Sequence, residues 1–192
     1  MSARRRIDQA LVVQTAIALA DASGFEAVTL AAVAGQLGIR IPSLYNHVSG
    51  LPGLHALMNL WAVRELGDAL RRAAVGRAGA DAILSMAEAY RAFAHAHPGL
   101  YRLTIRAATP DEPELAAAGQ EILDVLLAVL RPYGLEPDEM LHTVRGLRSV
   151  LHGFVDLEVV GGFGMALDRD DSFRRLVRDF VAGIQSTRPK QA

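Results

Sequence analysis

Thr29-Leu30-Ala31-Ala32-Val33-Ala34-Gly35-Gln36-Leu37-Gly38-Ile39-Arg40-Ile41-Pro42-Ser43-Leu44-Tyr45-Asn46-His47-Val48 is the stretch that decides the fold. Two short helices meet here at a glycine. Thr29 is a side-chain capping type for the first helix, Gly38 suits the left-handed turn that breaks it, and Pro42 fits the first turn of the second. Leu30, Val33, Ala34 and Leu37 recur at helical spacing and give the first helix one apolar face. Leu44 and Val48, four apart, do the same for the second, and small Ala34 lets the two cross closely. This is the pattern of a helix-turn-helix. Its second helix leaves Ile41, Pro42, Ser43, Tyr45, Asn46 and His47 facing outward. Ser43 and Asn46 are side chains that read base edges or hold phosphates, and Tyr45 and His47 can donate to phosphate oxygens. Arg40 and the arm Arg4-Arg5-Arg6 place positive charge at the edges. On spacing alone, such a face is either a reading surface or a solvated one.

Outward from this stretch, glycine and proline cut the chain into helix-sized pieces. The breaks predict an all-α chain of about nine helices, over about 7–23, 30–37, 42–48, 52–72, 80–96, 98–107, 112–131, 137–160 and 171–185. No interval alternates with the period of a strand. The last helix is the most regular, with Phe173, Leu176, Val177, Phe180, Val181 and Ile184 on one face and Arg174, Arg175, Arg178 and Asp179 on the other. The eighth is apolar over a wider arc, which predicts burial on two faces: against the core and against a partner subunit. The expected organisation is a helix-turn-helix domain over 1–50 and a helical body over 51–192.

The 192 residues are enough for a real core. With 51% hydrophobic and 21% charged residues, the composition is that of a globular chain. The absence of cysteine excludes a disulfide scaffold, a cysteine nucleophile and a thiolate metal site, and fits a cytoplasmic location. Asp8, Gln9 and Gln14 interrupt any leader-like apolar run near the N-terminus. No segment reaches the roughly 20 apolar residues of a membrane span, so no membrane partner is expected. No metal and no cofactor are expected either. His95 and His97 are two apart and face different ways on a helix, and no Gly-x-Ser-x-Gly elbow occurs. Gly162-Phe163-Gly164 has no preceding strand, so it reads as a cap for the eighth helix rather than as a phosphate loop.

The N-terminal residues resemble the DNA-binding domain of the TetR/AcrR family of transcriptional regulators. The resemblance is carried by Gly24-Phe25, Thr29, Val33-Ala34, Leu37-Gly38 and Leu44-Tyr45-Asn46-His47-Val48, in order over about residues 4–60. It implies an all-α homodimer whose first three helices bind a double-stranded operator. Thr29, Arg40, Ser43, Tyr45 and His47 then occupy the positions that touch DNA. One departure stands out. Where the family has a lysine opening the fourth helix, this chain has Leu51-Pro52-Gly53-Leu54, which leaves that helix's amides to meet a phosphate. Residues 1–48 carry four arginines against three acids, a net of +1, which predicts few phosphate contacts and a shallow salt dependence.

The body, over about 80–185, resembles a TetR C-terminal domain of the WHG type through Leu151-His152-Gly153-Phe154-Val155 and Gly161-Gly162-Phe163-Gly164, without that type's upstream tryptophan. The resemblance implies a pocket for a small-molecule effector and a dimer built on the last two helices. Pocket candidates are Trp61, Tyr90, Phe93, Tyr101, His152 and Phe154. Interface candidates are Leu151, Val155, Phe173, Leu176, Val177, Phe180 and Ile184. The expected function is a repressor released by its ligand. The alternatives are a helical interaction module without DNA binding, and an enzyme.

Overall fold

The computed structural model describes residues 7–186, and in it nine α-helices are joined by turns, with no strand among the described residues. The helices are α1 (Gln9–Ser23), α2 (Leu30–Leu37), α3 (Ile41–Leu44), α4 (Gly50–Ala74), α5 (Gly79–Ala96), α6 (Pro98–Tyr101), α7 (Pro113–Leu130), α8 (Pro137–Val159) and α9 (Arg169–Ser186). The arginine arm Arg4-Arg5-Arg6 lies outside the described residues.

Local chemistry sets the ends of these helices. Asp8 caps α1 by accepting from the Leu11 amide at 2.8 Å, so the helix opens at Gln9 rather than at Ile7. Thr29 caps α2, its hydroxyl accepting from the Ala32 amide at 3.1 Å. At the other end of α2, Gly38 adopts φ +66°. Its amide reaches the Gly35 carbonyl, and the Ile39 amide reaches that of Ala34, the paired closure of a Schellman turn. α8 ends the same way one residue earlier than the sequence suggests. Gly161 donates to Glu158 and Gly162 to Leu157, so the cap is Gly161-Gly162 and not Gly162-Phe163-Gly164.

Two helices are shorter than their sequence suggests. Regular α3 stops at Leu44, and 45–48 continue as tight turns in which the Asn46, His47 and Val48 amides bond back to Ser43 and Leu44. α6 stops at Tyr101 and passes into a single 3-10 turn over Arg102–Thr104. Leu44 and Val48 still reach the core because the turns keep the chain coiled.

One apolar core runs from Val12 in α1 to Ile184 in α9. α4 is its spine, leaving the head at Gly50 and packing along α5 and α7. Gly67 lets α7 come close, since a Cβ there would stand 3.1 Å from Ile122. A second junction ties head to body. α6 lies against the end of α1 at Gly99, where an added Cβ would overlap the Ala20 carbonyl. Beside it, His97 Nδ1 and Asp21 Oδ2 are 2.7 Å apart, and the His97 ring meets Trp61 edge-on at 5.2 Å. One imidazole thus joins α1, α4 and the α5–α6 corner.

Candidate functional site

The head presents the residues that the sequence placed outward. Ile41, Pro42, Ser43, Tyr45 and Asn46 are exposed, with Tyr45 at 60% and Ile41 at 39%. Arg40 is exposed at the α3 N-cap, and His47 is half-buried. Beneath this surface, Leu44 is fully buried and Val48 nearly so, in the same apolar core as Val12, Ala16, Val33 and Leu54. The Gln9 amide donates to the His47 carbonyl at 2.9 Å and pins the end of the turn to α1. A short helix of one turn has little stability of its own; here packing from below and the Gln9 bond hold its outer face in place. Thr29 is exposed, and its hydroxyl oxygen accepts the α2 cap bond while its O–H stays available to donate. Asp21, one of the three acids counted in the head, turns toward His97 on the body side.

The body contains a cavity of about 460 Å³ between α4, α5, α7 and α8, closed at one side by the 104–108 linker. Val63, Leu66 and Leu70 of α4 form one wall, Met86, Ala87 and Tyr90 of α5 another, Leu115, Gly119 and Leu123 of α7 a third, and Val144, Leu147 and Leu151 of α8 a fourth. Of the six aromatic and histidine candidates, only Tyr90 lines it. Trp61 and Phe93 pack around His97, and Phe154 packs between Phe163 and Phe173. Tyr101 and His152 stand behind Tyr90 in a hydrogen-bonded row. The Tyr90 and Tyr101 hydroxyls are 3.0 Å apart, and Tyr101 Oη lies 2.6 Å from His152 Nδ1. Burial raises both phenol pKa values above their usual range, while the nearby Arg148 charge pulls the other way. Large aromatics fill space, whereas a cavity appears where side chains are small. The signal was the run Ala116-Ala117-Ala118-Gly119 on α7, which nothing in the periodicity flagged.

Five of the seven interface candidates are buried within the single chain. Leu151, Val155, Phe173, Val177 and Ile184 are at most 6% exposed within the single chain, so they pack its own core and have almost no surface to offer a second copy. α9 lays that stripe against α5 and α8. Leu176 and Phe180 are half-buried, and the Phe180 ring covers Gly146 of α8. The exposed apolar side chains at the end of α8 and in the following connection include Leu157, Val159, Val160, Met165 and Leu167.

A buried ionic cluster was not legible as a site. Glu158 of α8 accepts from Arg91 Nε at 2.8 Å and Nη2 at 2.6 Å, and His95 Nε2 lies 2.9 Å away. Arg91 also donates to Asp170 at 2.7 Å, and its guanidinium lies over the Phe173 ring at 5.0 Å. The Arg91 bonds hold the Glu158 carboxyl down to about 2, against the opposing effect of burial. The cluster joins α5, α8 and the start of α9, and its signal was a second carboxylate, Glu158, two residues after Asp156 in the otherwise apolar run 155–160. Among the described residues no group of three potential ligands could hold a metal, and no helix is long and apolar enough to cross a membrane.

Comparison with known proteins agrees with this arrangement. Residues 83–180 match the family model of the tetracyclin repressor-like C-terminal domain. The uncharacterized HTH-type transcriptional regulator Rv0681 of Mycobacterium tuberculosis is 36% identical over 94% of this chain and 83% of its own length. YobS of Bacillus subtilis, also an uncharacterized HTH-type transcriptional regulator, is 33% identical over 96% of both chains. The solved structure of SCO7222, a TetR from Streptomyces coelicolor, shares the fold with a TM-score of 0.76 at 16% identity, covering 96% of this chain and all of that one. A helix-turn-helix head on an all-helical body, with relatives of this kind along almost its whole length, makes the chain a member of the TetR family of transcriptional regulators.

Proposed function

We propose that the chain acts as a homodimeric repressor on a duplex operator, and that a small molecule entering the body cavity releases it. Ser43 and Asn46 meet base edges in the major groove, with Ile41 and Pro42 beside them for the thymine methyl group. Arg40, Tyr45 and His47 hold phosphates and set the register. Thr29 contributes through its shared hydroxyl. At Gly50 and Leu51 the first amides of α4 take the phosphate that the missing lysine would hold. Two copies associate through the outer faces of α8 and α9, which carry the half-buried Leu176 and Phe180 and the exposed Leu157 and Val160.

The observation that carries this reading is a pairing joined by one helix. A polar face stands exposed at one end of α4, and an unfilled apolar cavity adjoins its other half. An effector shifts DNA binding only if it prefers one arrangement of the two heads. α4 starts beside α3 and walls the cavity with Val63, Leu66 and Leu70, so an occupant there acts on the helix that carries the head. Footprinting on the DNA flanking the chain's own gene tests the reading. It predicts a two-fold protected site with half-sites about one helical turn apart. Protection of no segment, or of an asymmetric single site, would refute it.

A further inference from the structure

The cavity's polar groups narrow the chemistry of its occupant, taking as given that the cavity is an effector site. No carboxylate lines it, and nearly all its polar side chains are already engaged. Tyr90 is turned to Tyr101 at 3.0 Å. The Thr104 hydroxyl donates to the Tyr101 carbonyl at 2.7 Å, and the Gln120 amide donates to Asp124 at 2.8 Å. Arg106 is paired with Glu112 through both guanidinium arms, which cancels its charge.

Arg148 is the exception. It projects from α8, lines the cavity and is exposed, so it stands at the mouth. Among the described residues no carboxylate pairs with it. Its bonds go from Nη2 to the backbone carbonyls of Ile105 at 2.6 Å and Thr104 at 3.2 Å. Those carbonyls fix the guanidinium's orientation without neutralising it. The Nε and Nη1 hydrogens are left for another acceptor, and either can give a charge-assisted bond to a carboxylate oxygen. Behind it lies an aliphatic chamber with room for roughly 15 groups the size of a water molecule.

We propose that the cavity takes an anionic amphiphile, a medium-length apolar chain ending in a carboxylate, with the carboxylate held by Arg148 at the mouth and the chain between α4, α5, α7 and α8. Discrimination rests on charge. An acid gains the fixed guanidinium, an alcohol of the same length gains only the apolar chamber, and an amine is repelled from the mouth. Arg148 acts as a clamp set by the 104–105 carbonyls.

Calorimetric titration of the full chain with decanoate, decanol and decylamine tests this. Decanoate is expected to bind at least tenfold more tightly than decanol, with decylamine weakest. In Arg148→Met, decanoate affinity falls to the decanol level while decanol affinity stays unchanged, which also shows that the cavity has kept its shape. Arg148→Lys keeps the charge and retains a preference for the acid. Equal affinities for acid and alcohol in the wild type, or an equal loss of both in Arg148→Met, would overturn the anionic proposal and leave the effector cavity standing. Absence of binding by all three compounds would overturn both.

Discussion

The head and the body use the same helices-on-a-core physics to opposite ends. In the head, the apolar residues under α3 are closed: Val12, Val33, Leu44 and Leu54 are fully buried, and a one-turn helix is held steady because nothing beneath it can move. In the body, α7 withholds side chains at Ala116 and Gly119, and a cavity of about 460 Å³ stays unfilled beside α4. Interiors are normally packed like organic crystals, with few voids larger than a water. A gap of this size is therefore the body's distinctive property, as rigid presentation is the head's. In the proposed function the two serve different ends, one fixing a surface in register with DNA and the other leaving a place where an effector changes the packing.

The largest effect expected from breaking this contrast lies in the body's ionic cluster rather than around its cavity. Arg91→Met leaves Glu158 buried and without its main partner, at a cost of about 3–5 kcal/mol, read by urea unfolding at neutral pH. The pH dependence carries a definite sign. Glu158 is held down to about 2 by Arg91, below its ordinary 4.5. Its contribution is fully present above about 4.5 and is lost as the pH falls toward 2. The gap between wild type and Arg91→Met should therefore narrow from pH 5 to pH 3, and a gap constant with pH would contradict the assignment.

Next comes the head. Leu44→Ala removes the buried side chain under the outer face, for about 2–5 kcal/mol, and loses DNA binding in the same preparation. A variant that keeps its operator affinity despite that loss of stability would show that the α3 surface needs no support from below.

The smallest effects come from two glycines that sharpen the same comparison. Gly119 on α7 has open space around an added Cβ, so Gly119→Ala stabilises by about 0.5–1 kcal/mol through helix propensity. At Gly99 the added methyl meets the Ala20 carbonyl, and Gly99→Ala destabilises by about 1–3 kcal/mol. Thermal melts showing the same sign for both would contradict the contrast between open body and closed junction.

Most of the head was legible because its signals are local. Thr29, Gly38, Pro42 and the Leu44–Val48 pair each act within a few residues, and cap chemistry and spacing suffice to read them. What failed in the head was fine geometry: α3 tightens after Leu44, which no propensity distinguishes from one more turn of α-helix. The body was legible as helices but not as a site. Aromatic residues are conspicuous in a sequence, so Trp61, Phe93 and Phe154 drew attention, yet they fill the core. The resemblance, not the residues, gave the α9 stripe to a partner; periodicity reveals an apolar face without saying what covers it, and α5 and α8 of the same chain pack against α9. Arg91 and Glu158, 67 positions apart, meet only through tertiary packing, which no local pattern encodes.

The central claim is that the exposed surface around Tyr45 is the part of this chain that touches DNA. The most direct test is a fluorescence-anisotropy titration of the footprinted duplex with wild type and Tyr45→Ala, after melts have shown equal stability. Tyr45 is 60% exposed, so its removal leaves the fold intact. The account predicts at least tenfold weaker binding, about 1.4 kcal/mol, at an unchanged melting temperature. Equal affinity of the two proteins for the duplex would contradict it.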